Sequence, residues 1–436
     1  MSKMKYSGVE WIGDIPIEWN YSKFKYIYNV KKAKLPDELE TENNGELLPY
    51  LSMEYIRDNS LKPYYCRKGT FCNKNDLLLL WDGSNAGEII YNHPTGFASS
   101  TCAILSLKKS INELYSNYYM KFLELKLREN TNGMGIPHVD AKYLNNLLYL
   151  VPNINEQKLI ANFLEEKTTN LDNILLDLNK QLEILSNYKS SVIIETITKG
   201  LNKNVELKYS GINWVGEIPI HWNLRKIKHT FIDDKFGIKV GPFGSSLTNC
   251  VTNSELGKYK IYGQANLIRK CFEFGDNFVN EKDYLRLKNY EVKPGDIAVS
   301  MMGTIGKCCV IPNNIQKGIM DSHLIKIRLN TNIMLPKYFE YQYEGNNIFE
   351  QLLYYSNGSI MNGLNSTIVK NIYFVYPPLE EQKEIVDYLD KKCSQIDKII
   401  EEKQKQIKKI EEYKKSVIYE YVTGKKRVEG AEELYG

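Results

Sequence analysis

Histidine is scarce in this 436-residue chain, five in all, and the eight cysteines at 66, 72, 102, 250, 271, 308, 309 and 393 contain no C-x-x-C pair. A structural zinc site needs four such ligands at close spacing, so neither a zinc module nor a disulfide framework is written here. Free buried thiols are the expectation. Long apolar runs are missing too. Stretches such as 77–81 fall far short of the roughly 20 residues that cross a bilayer, and the opening MSKMKYSGVEWIG has neither an apolar core nor a cleavage pattern. These absences predict a soluble, cytoplasmic protein. A large excess of one charge is also absent, the formal net charge being +4. Locally, residues 225–330 hold 17 Lys and Arg against 10 Asp and Glu, and residues 20–150 hold 16 against 14. The surplus in the second half suits phosphate contacts.

What the chain does have is a second beginning. YSGVEWIGDIPIEWN at 6–20 returns as YSGINWVGEIPIHWN at 209–223, with ten of fifteen positions identical. A matching close follows each opening: residues 151–199, which include PNINEQ, are answered by 376–424, which include PPLEEQ. The openings are offset by 203 residues and the closes by 225, so the second middle is 22 residues longer (225 minus 203). At this length each half can bury a core of its own.

Inside the middles, short apolar runs bounded by Gly, Pro, Asn and Asp at 76–81, 102–107, 296–301 and 323–329 predict strands. One longer aromatic-rich helix is predicted in each, near 112–128 and near 336–355. The closes differ in kind. Leu164, Leu171, Leu175, Leu178, Leu182, Leu185 and Val192 step by three and four, and adding 225 gives Leu389, Ile396, Ile400, Lys403, Ile407, Ile410 and Val417. Three or four heptads of seam predict two long helices paired as a coiled coil, each roughly 65 Å long at about 1.5 Å per residue. Lys403 is the one polar seam position. Pro152 and Pro377 ahead of the helices, with Asn155, Glu156, Glu380 and Glu381 in their first turns, are helix-start chemistry.

Catalytic constellations fail on inspection. GTIGKC at 303–308 has two residues rather than four between its glycines and Cys308 where a phosphate loop places Ser or Thr, so it reads as a tight turn between strands. GPFGS at 241–245 and DGSNAG at 82–87 do not fit G-x-G-x-x-G. YPPL at 376–379 has Tyr376 and Leu379 where a methyltransferase base-holding loop carries an amide or acid and an aromatic. His138 and His323 stand alone, and Asp76, Asp82, Asp283 and Asp296 lack the lysine clustering of a metal-dependent nuclease. The chain reads as non-catalytic.

Taken together, Trp11, Gly13, Ile15, Pro16 and Trp19, their counterparts Trp214, Gly216, Ile218, Pro219 and Trp222, the PPLEEQ segment with Pro377, Pro378, Leu379, Glu381 and Gln382, the stretch PGDIAVSMMGTIG, and the loop GPFGSSL at 241–247 resemble the DNA specificity subunit of type I restriction-modification systems. The first half departs from the pattern with PNINEQ at 152–157. The resemblance implies an α+β fold of two tandem mixed α/β target recognition domains with an internal pseudo-twofold repeat, separated by two long helices forming an antiparallel coiled coil. The expected boundaries are 1–150 and 208–376 for the recognition domains, 151–207 and 377–424 for the helical regions, and 425–436 for a solvated tail. It implies further that each domain reads half of a bipartite, asymmetric DNA site. The helices would dock two modification subunits and, through them, restriction subunits. S-adenosylmethionine, ATP and magnesium would sit on those partners, and no metal or cofactor on this chain.

Base edges are read in the major groove by Arg, Lys, Asn, Gln, Ser and Thr, while phosphate contacts position the protein. Loop residues of suitable type are Arg67, Lys68, Ser84, Asn85 and His138 in the first domain. In the second they are Lys239, Ser245, Ser246, Gln264, Asn266, Arg269, Thr304, Lys307 and Asn362. Gly83, Gly244, Gly303 and Gly358 are expected as turn formers. Two other readings share the pattern: the same recognition role in a modification-only or swappable-specificity assembly, and a coiled-coil scaffold that binds no DNA.

Overall fold

The apolar runs of the sequence become strands buried on both faces. In the computed structural model, all four leucines of the strand Leu77–Leu80 are out of solvent. Leu77 and Leu79 cluster with Tyr115, Tyr119, Met120 and Leu123 of the helix Glu113–Glu129, while Leu78 and Leu80 cluster with Leu51 and Ala98 of a second sheet. The strand Ile297–Ser300 does the same: Ile297 and Val299 meet Tyr338 and Phe339 of the helix Pro336–Glu344, and Ala298 meets Tyr262 and Met320 on its other face. Side chains alternate faces along a strand, so a strand lying between a helix and another sheet must be apolar at every position. The structure describes residues 3–435 other than 44, 59, 109, 134, 214, 233–236, 248–249, 302–306 and 356–363, and among them no helix is long and apolar enough to cross a membrane.

The chain divides into two units, residues 1–179 with 404–436, and residues 180–403. In the first, one antiparallel sheet has the order Tyr28–Lys32, Cys102–Leu107, Leu77–Leu80, Ile89–Ile90. The other has the order Tyr65–Cys66, Leu48–Leu51, Gly96–Ala98, Phe71–Cys72, with Leu48–Leu51 and Gly96–Ala98 parallel. The second unit gives the same two orders. Its antiparallel sheet is Ile238–Val240, Leu324–Ile327, Ile297–Ser300, Cys308–Val310. Its mixed sheet is Phe278–Val279, Tyr259–Tyr262, Gly318–Met320, Glu291–Val292, again with one parallel pair. The repeat that is plainest at the ends of each half is therefore a repeat of the whole module. One expected element differs: the stretch near 336–355 is two helices, Pro336–Glu344 and Asn346–Tyr355, because Gly345 takes extended backbone with ψ 147 and ends the first. The free thiols are also not all buried, Cys250 being half-exposed and Cys271 exposed.

The repeated Trp and Glu-Gln motifs tie each module to its long helix. In the first unit the Trp19 indole N–H donates to Glu156 Oε2 at 2.9 Å, and Glu156 is fully buried at the start of the helix Ile154–Lys199. In the second, Trp222 donates to Glu381 at 2.8 Å, at the start of the helix Leu379–Val422. The neighbouring glutamines cap the module helices. Gln157 Oε1 accepts the Asn112 backbone N–H and its amide donates to the Pro152 carbonyl, both at 2.9 Å. Gln382 makes the same pair with Leu335 and Pro377. Asn112 and Leu335 are the N-cap positions of the two module helices, so each glutamine satisfies an N–H that a helix start leaves without a partner.

The expected solvated tail is a correction. Arg427 reaches Glu156 through Nε and Nη2 at 2.9 and 2.8 Å, the Tyr435 hydroxyl donates to the same carboxylate at 2.6 Å, and Ala431 is fully buried. Residues 425–435 fold onto the first unit because a buried carboxylate needs a charged partner. In the second unit Glu381 is half-exposed, and His221 Nε2 lies 2.7 Å from it.

Within each unit the two long helices run antiparallel. In the first, Lys414 pairs with Asp172 at 2.6 Å and the Phe163 and Tyr421 rings lie 4.4 Å apart; in the second, Lys189 pairs with Asp397 at 2.6 Å and Lys403 donates to Gln181. Rising numbers on one helix meet falling numbers on the other. Of the expected seam, Leu164, Leu171, Leu178, Val192, Leu389, Ile396 and Val417 are buried, and Leu175, Leu182, Leu185, Ile400, Ile407 and Ile410 are half-buried. The Asp–Lys pairs are the same pair twice, since 172 plus 225 is 397 and 189 plus 225 is 414.

One buried charge gives this fold a pH dependence. Lys326 is 6 % exposed in the second unit, and burial pulls its ammonium down to about 8 despite the nearby Asp296, which Arg328 holds with two bonds of 2.7 and 2.8 Å. Between about pH 8 and the ordinary lysine value near 10.4 the unfolded chain carries a proton that the folded one lacks, so this group adds stability as pH rises across that window and loses it as pH falls back from about 10.4 to about 8. Lys326→Met should therefore lose the gain that the unsubstituted protein shows between pH 7.5 and 9.5. Thermal unfolding at both values measures it; parallel pH profiles for the two proteins would refute the assignment.

Candidate nucleic-acid interface

In the first unit the loop after the strand Leu77–Leu80 turns sharply through Gly83, whose φ of +118 suits glycine. It is stitched to the short hairpin of Thr131–Asn132 and His138–Val139: the Gly83 N–H donates to the Pro137 carbonyl, and the Val139 N–H to the Trp81 carbonyl, both at 2.9 Å. Asp82 and His138 form a bridge pair. Ser84 and His138 are both exposed on these two joined segments. Asn85 is half-buried and its Oδ1 accepts from Arg128 Nη2 at 2.8 Å, which leaves its amide nitrogen for other work. A side chain at Gly87 would strike the Arg128 backbone nitrogen at 2.8 Å, so the loop must lie against the end of the helix Glu113–Glu129.

Two residues join this cluster that spacing did not mark. Lys32 pairs with Asp82 at 2.9 Å and lies 5.7 Å from the centroid of the Trp81 ring, and Arg128 is held by Asn85 and by Glu124 at 3.5 Å. The basic run at 31–34 was a usable signal for Lys32. Arg128 had none, being 43 residues from Asn85. The remaining two candidates stand elsewhere: Arg67 and Lys68 are exposed in the turn between the strands Tyr65–Cys66 and Phe71–Cys72, where Arg67 meets Glu46 at 3.5 Å.

In the second unit Ser245 is exposed and Ser246 half-exposed on the short helix Gly244–Leu247, with the Ser246 carbonyl accepting from Arg286 at 3.1 Å. Gln264 lines a cavity of about 340 Å³ together with Leu247, Phe274 and Asp321. Burial raises the Asp321 carboxyl above its ordinary range, against the pull of the His323 N–H bond. Arg269 is exposed and its guanidinium stacks on Phe274 at 3.9 Å, which leaves its fork free at the edge. Lys239 is exposed and sits 5.3 Å from the Tyr290 ring, and Lys307 is exposed ahead of the strand Cys308–Val310.

Asn266 is a correction. It is 4 % exposed, its Oδ1 accepts from the Gly263 N–H at 2.9 Å, and its amide donates to the Cys271 and Phe274 carbonyls at 3.0 and 2.8 Å. Those bonds hold the turn after 262 and leave nothing for a base edge. Thr304 and Asn362, with Gly303 and Gly358, lie outside the described residues. Among the described residues no group of three or more His, Cys, Asp or Glu could hold a metal ion. Asp76, Asp82, Asp283 and Asp296 are each spent on a different partner: Ser106, Lys32, Arg286 and Arg328.

Residues 16–185 and 245–412 match the family model described as type I restriction modification DNA specificity domain. The chain is 30% identical over 428 residues to the type I restriction enzyme MjaVIII specificity subunit of Methanocaldococcus jannaschii, covering 95% of this chain and 94% of that one. It is 22% identical to the type I restriction enzyme EcoBI specificity subunit of Escherichia coli, over 83% of this chain and 76% of the other. A chain solved in a study of complex assembly and conformational transition of the type I R-M system has the same fold, with a TM-score of 0.66 at 12% identity, covering 94% of this chain and 98% of that one.

Proposed function

The chain belongs to the type I restriction modification DNA specificity family, and from that premise we propose that it is the non-catalytic subunit that reads a bipartite, asymmetric DNA site, one half-site per unit. The observation that carries this reading is one topology built twice with different side chains at its loop ends. The Trp81-Asp82-Gly83-Ser84-Asn85 loop with His138 stands in one unit, and Gln264, Arg269 and Ser245 stand in the other. Two related modules with unlike surfaces suit two unlike words. The side chains available, Arg, Lys, Asn, Gln, Ser and His, are those that donate to and accept from base edges.

On the same reading the paired helices dock two modification subunits and, through them, restriction subunits. S-adenosylmethionine, ATP and magnesium are held by those partners. The assembly works in the cytoplasm, where the DNA is.

Sequencing methylated adenines in DNA from cells that express this chain with its modification subunit tests the proposal. The expected motif has two unlike half-sites separated by unspecified bases; a continuous or palindromic motif overturns it. Exchange of residues 225–375 for the second module of a relative should change one half-site and keep the other. Loss of both words would mean that the units do not read independently.

A further inference from the structure

The two modules differ in a concerted way at one place, the three-residue turn that joins their two sheets. In the first unit the turn is residues 99–101, between the strands Gly96–Ala98 and Cys102–Leu107; in the second it is residues 321–323, between Gly318–Met320 and Leu324–Ile327. The same bonds frame both. The Ala33 N–H donates to the Cys102 carbonyl at 3.0 Å and the Trp81 N–H to that of Thr101 at 2.7 Å, while Gly241 donates to Leu324 at 2.9 Å and Met301 to His323 at 3.0 Å. Strand register adds a third matched pair, Ser52 and Gly263, each following the residue that faces Ala98 or Met320. Ala33, Ser52 and Ser99 of the first unit are thus Gly241, Gly263 and Asp321 in the second.

The two glycines are what the acid requires. A side chain at Gly241 would stand 1.8 Å from the Asp321 carbonyl oxygen, and one at Gly263 would stand 2.7 Å from Asp321 Oδ2. In the first unit the Ser99 hydroxyl accepts the Thr101 N–H at 3.4 Å and pairs with the Thr101 and Tyr50 hydroxyls at 3.0 and 3.3 Å, and the residue is buried. Its one oxygen is spent. Asp321 keeps the same turn bond through Oδ1, which accepts the His323 N–H at 2.8 Å. Its Oδ2 has no hydrogen-bond partner among the described residues, His323 Nδ1 being 3.6 Å away. The side chain is 22% exposed and lines the cavity of about 340 Å³ that it shares with Gln264 and Phe274.

We propose that Asp321 is a specificity-determining residue of the second unit, its Oδ2 accepting the N4 amino group of a cytosine in that unit's half-site; this rests on the function proposed above and adds one base to it. An ionised carboxylate accepts and does not donate, so on the major-groove edges it suits only the amino groups of cytosine and adenine. Adenine sets its N7 acceptor beside N6, which turns a lone pair toward the acid; cytosine has no acceptor there. Guanine and thymine offer O6 and O4 and are rejected. Phosphates repel a carboxylate, so an acid among Ser245, Gln264 and Arg269 adds discrimination rather than affinity. The turn itself does not need it, because serine closes the same turn in the first unit.

Sequencing methylated adenines in cells that express the chain with its modification subunit reads the contact base by base. The half-site that changes on exchange of residues 225–375 should contain a G·C pair. With Asp321→Asn, which keeps the shape and adds a donor, preference for cytosine at that one position should fall by about tenfold or more, every other position and the other half-site being unchanged. Asp321→Ser, which installs the first unit's residue, should relax the same position. Thermal unfolding of both variants checks that they fold. If the unsubstituted chain yields no bipartite motif, the underlying reading fails. A bipartite motif that both folded variants leave unchanged, or a half-site with no G·C pair, overturns only this inference. So does methylation that falls alike at every site, or loss of folding in both variants, since Asp321 would then be a structural residue.

Discussion

Arg427→Met should destabilise the first unit by about 3–5 kcal/mol, the usual cost of removing one partner from a buried ion pair. Glu156 is fully buried and holds four bonds: Trp19 Nε1 at 2.9 Å, Tyr435 at 2.6 Å, and Arg427 Nε and Nη2 at 2.9 and 2.8 Å. The two neutral donors survive the substitution. The charge compensation does not, and a carboxylate left alone in an apolar setting is costly. Restoring neutrality should recover much of the loss, so Glu156→Gln combined with Arg427→Met should be more stable than Arg427→Met alone. Urea unfolding followed by tryptophan fluorescence compares the three proteins. A single variant within about 1 kcal/mol of the unsubstituted protein, below the range for a buried pair, would show that the tail is not what compensates Glu156.

Leu178→Asp should act through the coil rather than through sequence choice. Leu178 is 8 % exposed at the seam, so the substitution forfeits the ~2–5 kcal/mol of a buried leucine and adds the desolvation of a carboxylate. On the function proposed above, assembly with the modification subunits then falls at every site alike, and methylation drops across the genome with the recognised words unchanged. Ile407→Asp should do the same. Methylome sequencing together with size-exclusion chromatography reads both outcomes, and normal assembly with altered words would contradict the placement.

The resemblance in the sequence and the physics of the fold meet at the same residues for different reasons. Trp19, Trp222, Glu156, Glu381, Gln157 and Gln382 are the motifs that make the family recognisable, and the structure spends them on joining each module to its helix. Recognition motifs of that kind are structural. The residues that would read DNA are by contrast loop polar groups, and for those a sequence offers type without position. Asn85 and Asn266 show the limit: equally good candidates by chemistry, one with an amide nitrogen left over and the other with its whole amide tied into its own turn.

Whatever depends on periodicity was fixed by the sequence itself. The doubled order, the four apolar strands, the long helices and their seam follow from spacing, because burial selects apolar residues at the period of the element that buries them. What only the tertiary structure decided is who meets whom across long gaps in the chain. The fold brings Arg427 to Glu156, Arg128 to Asn85, His138 to Asp82 and Arg328 to Asp296. Such pairs are selected by distance and desolvation in the packed state, and neither quantity is a function of local order along the chain.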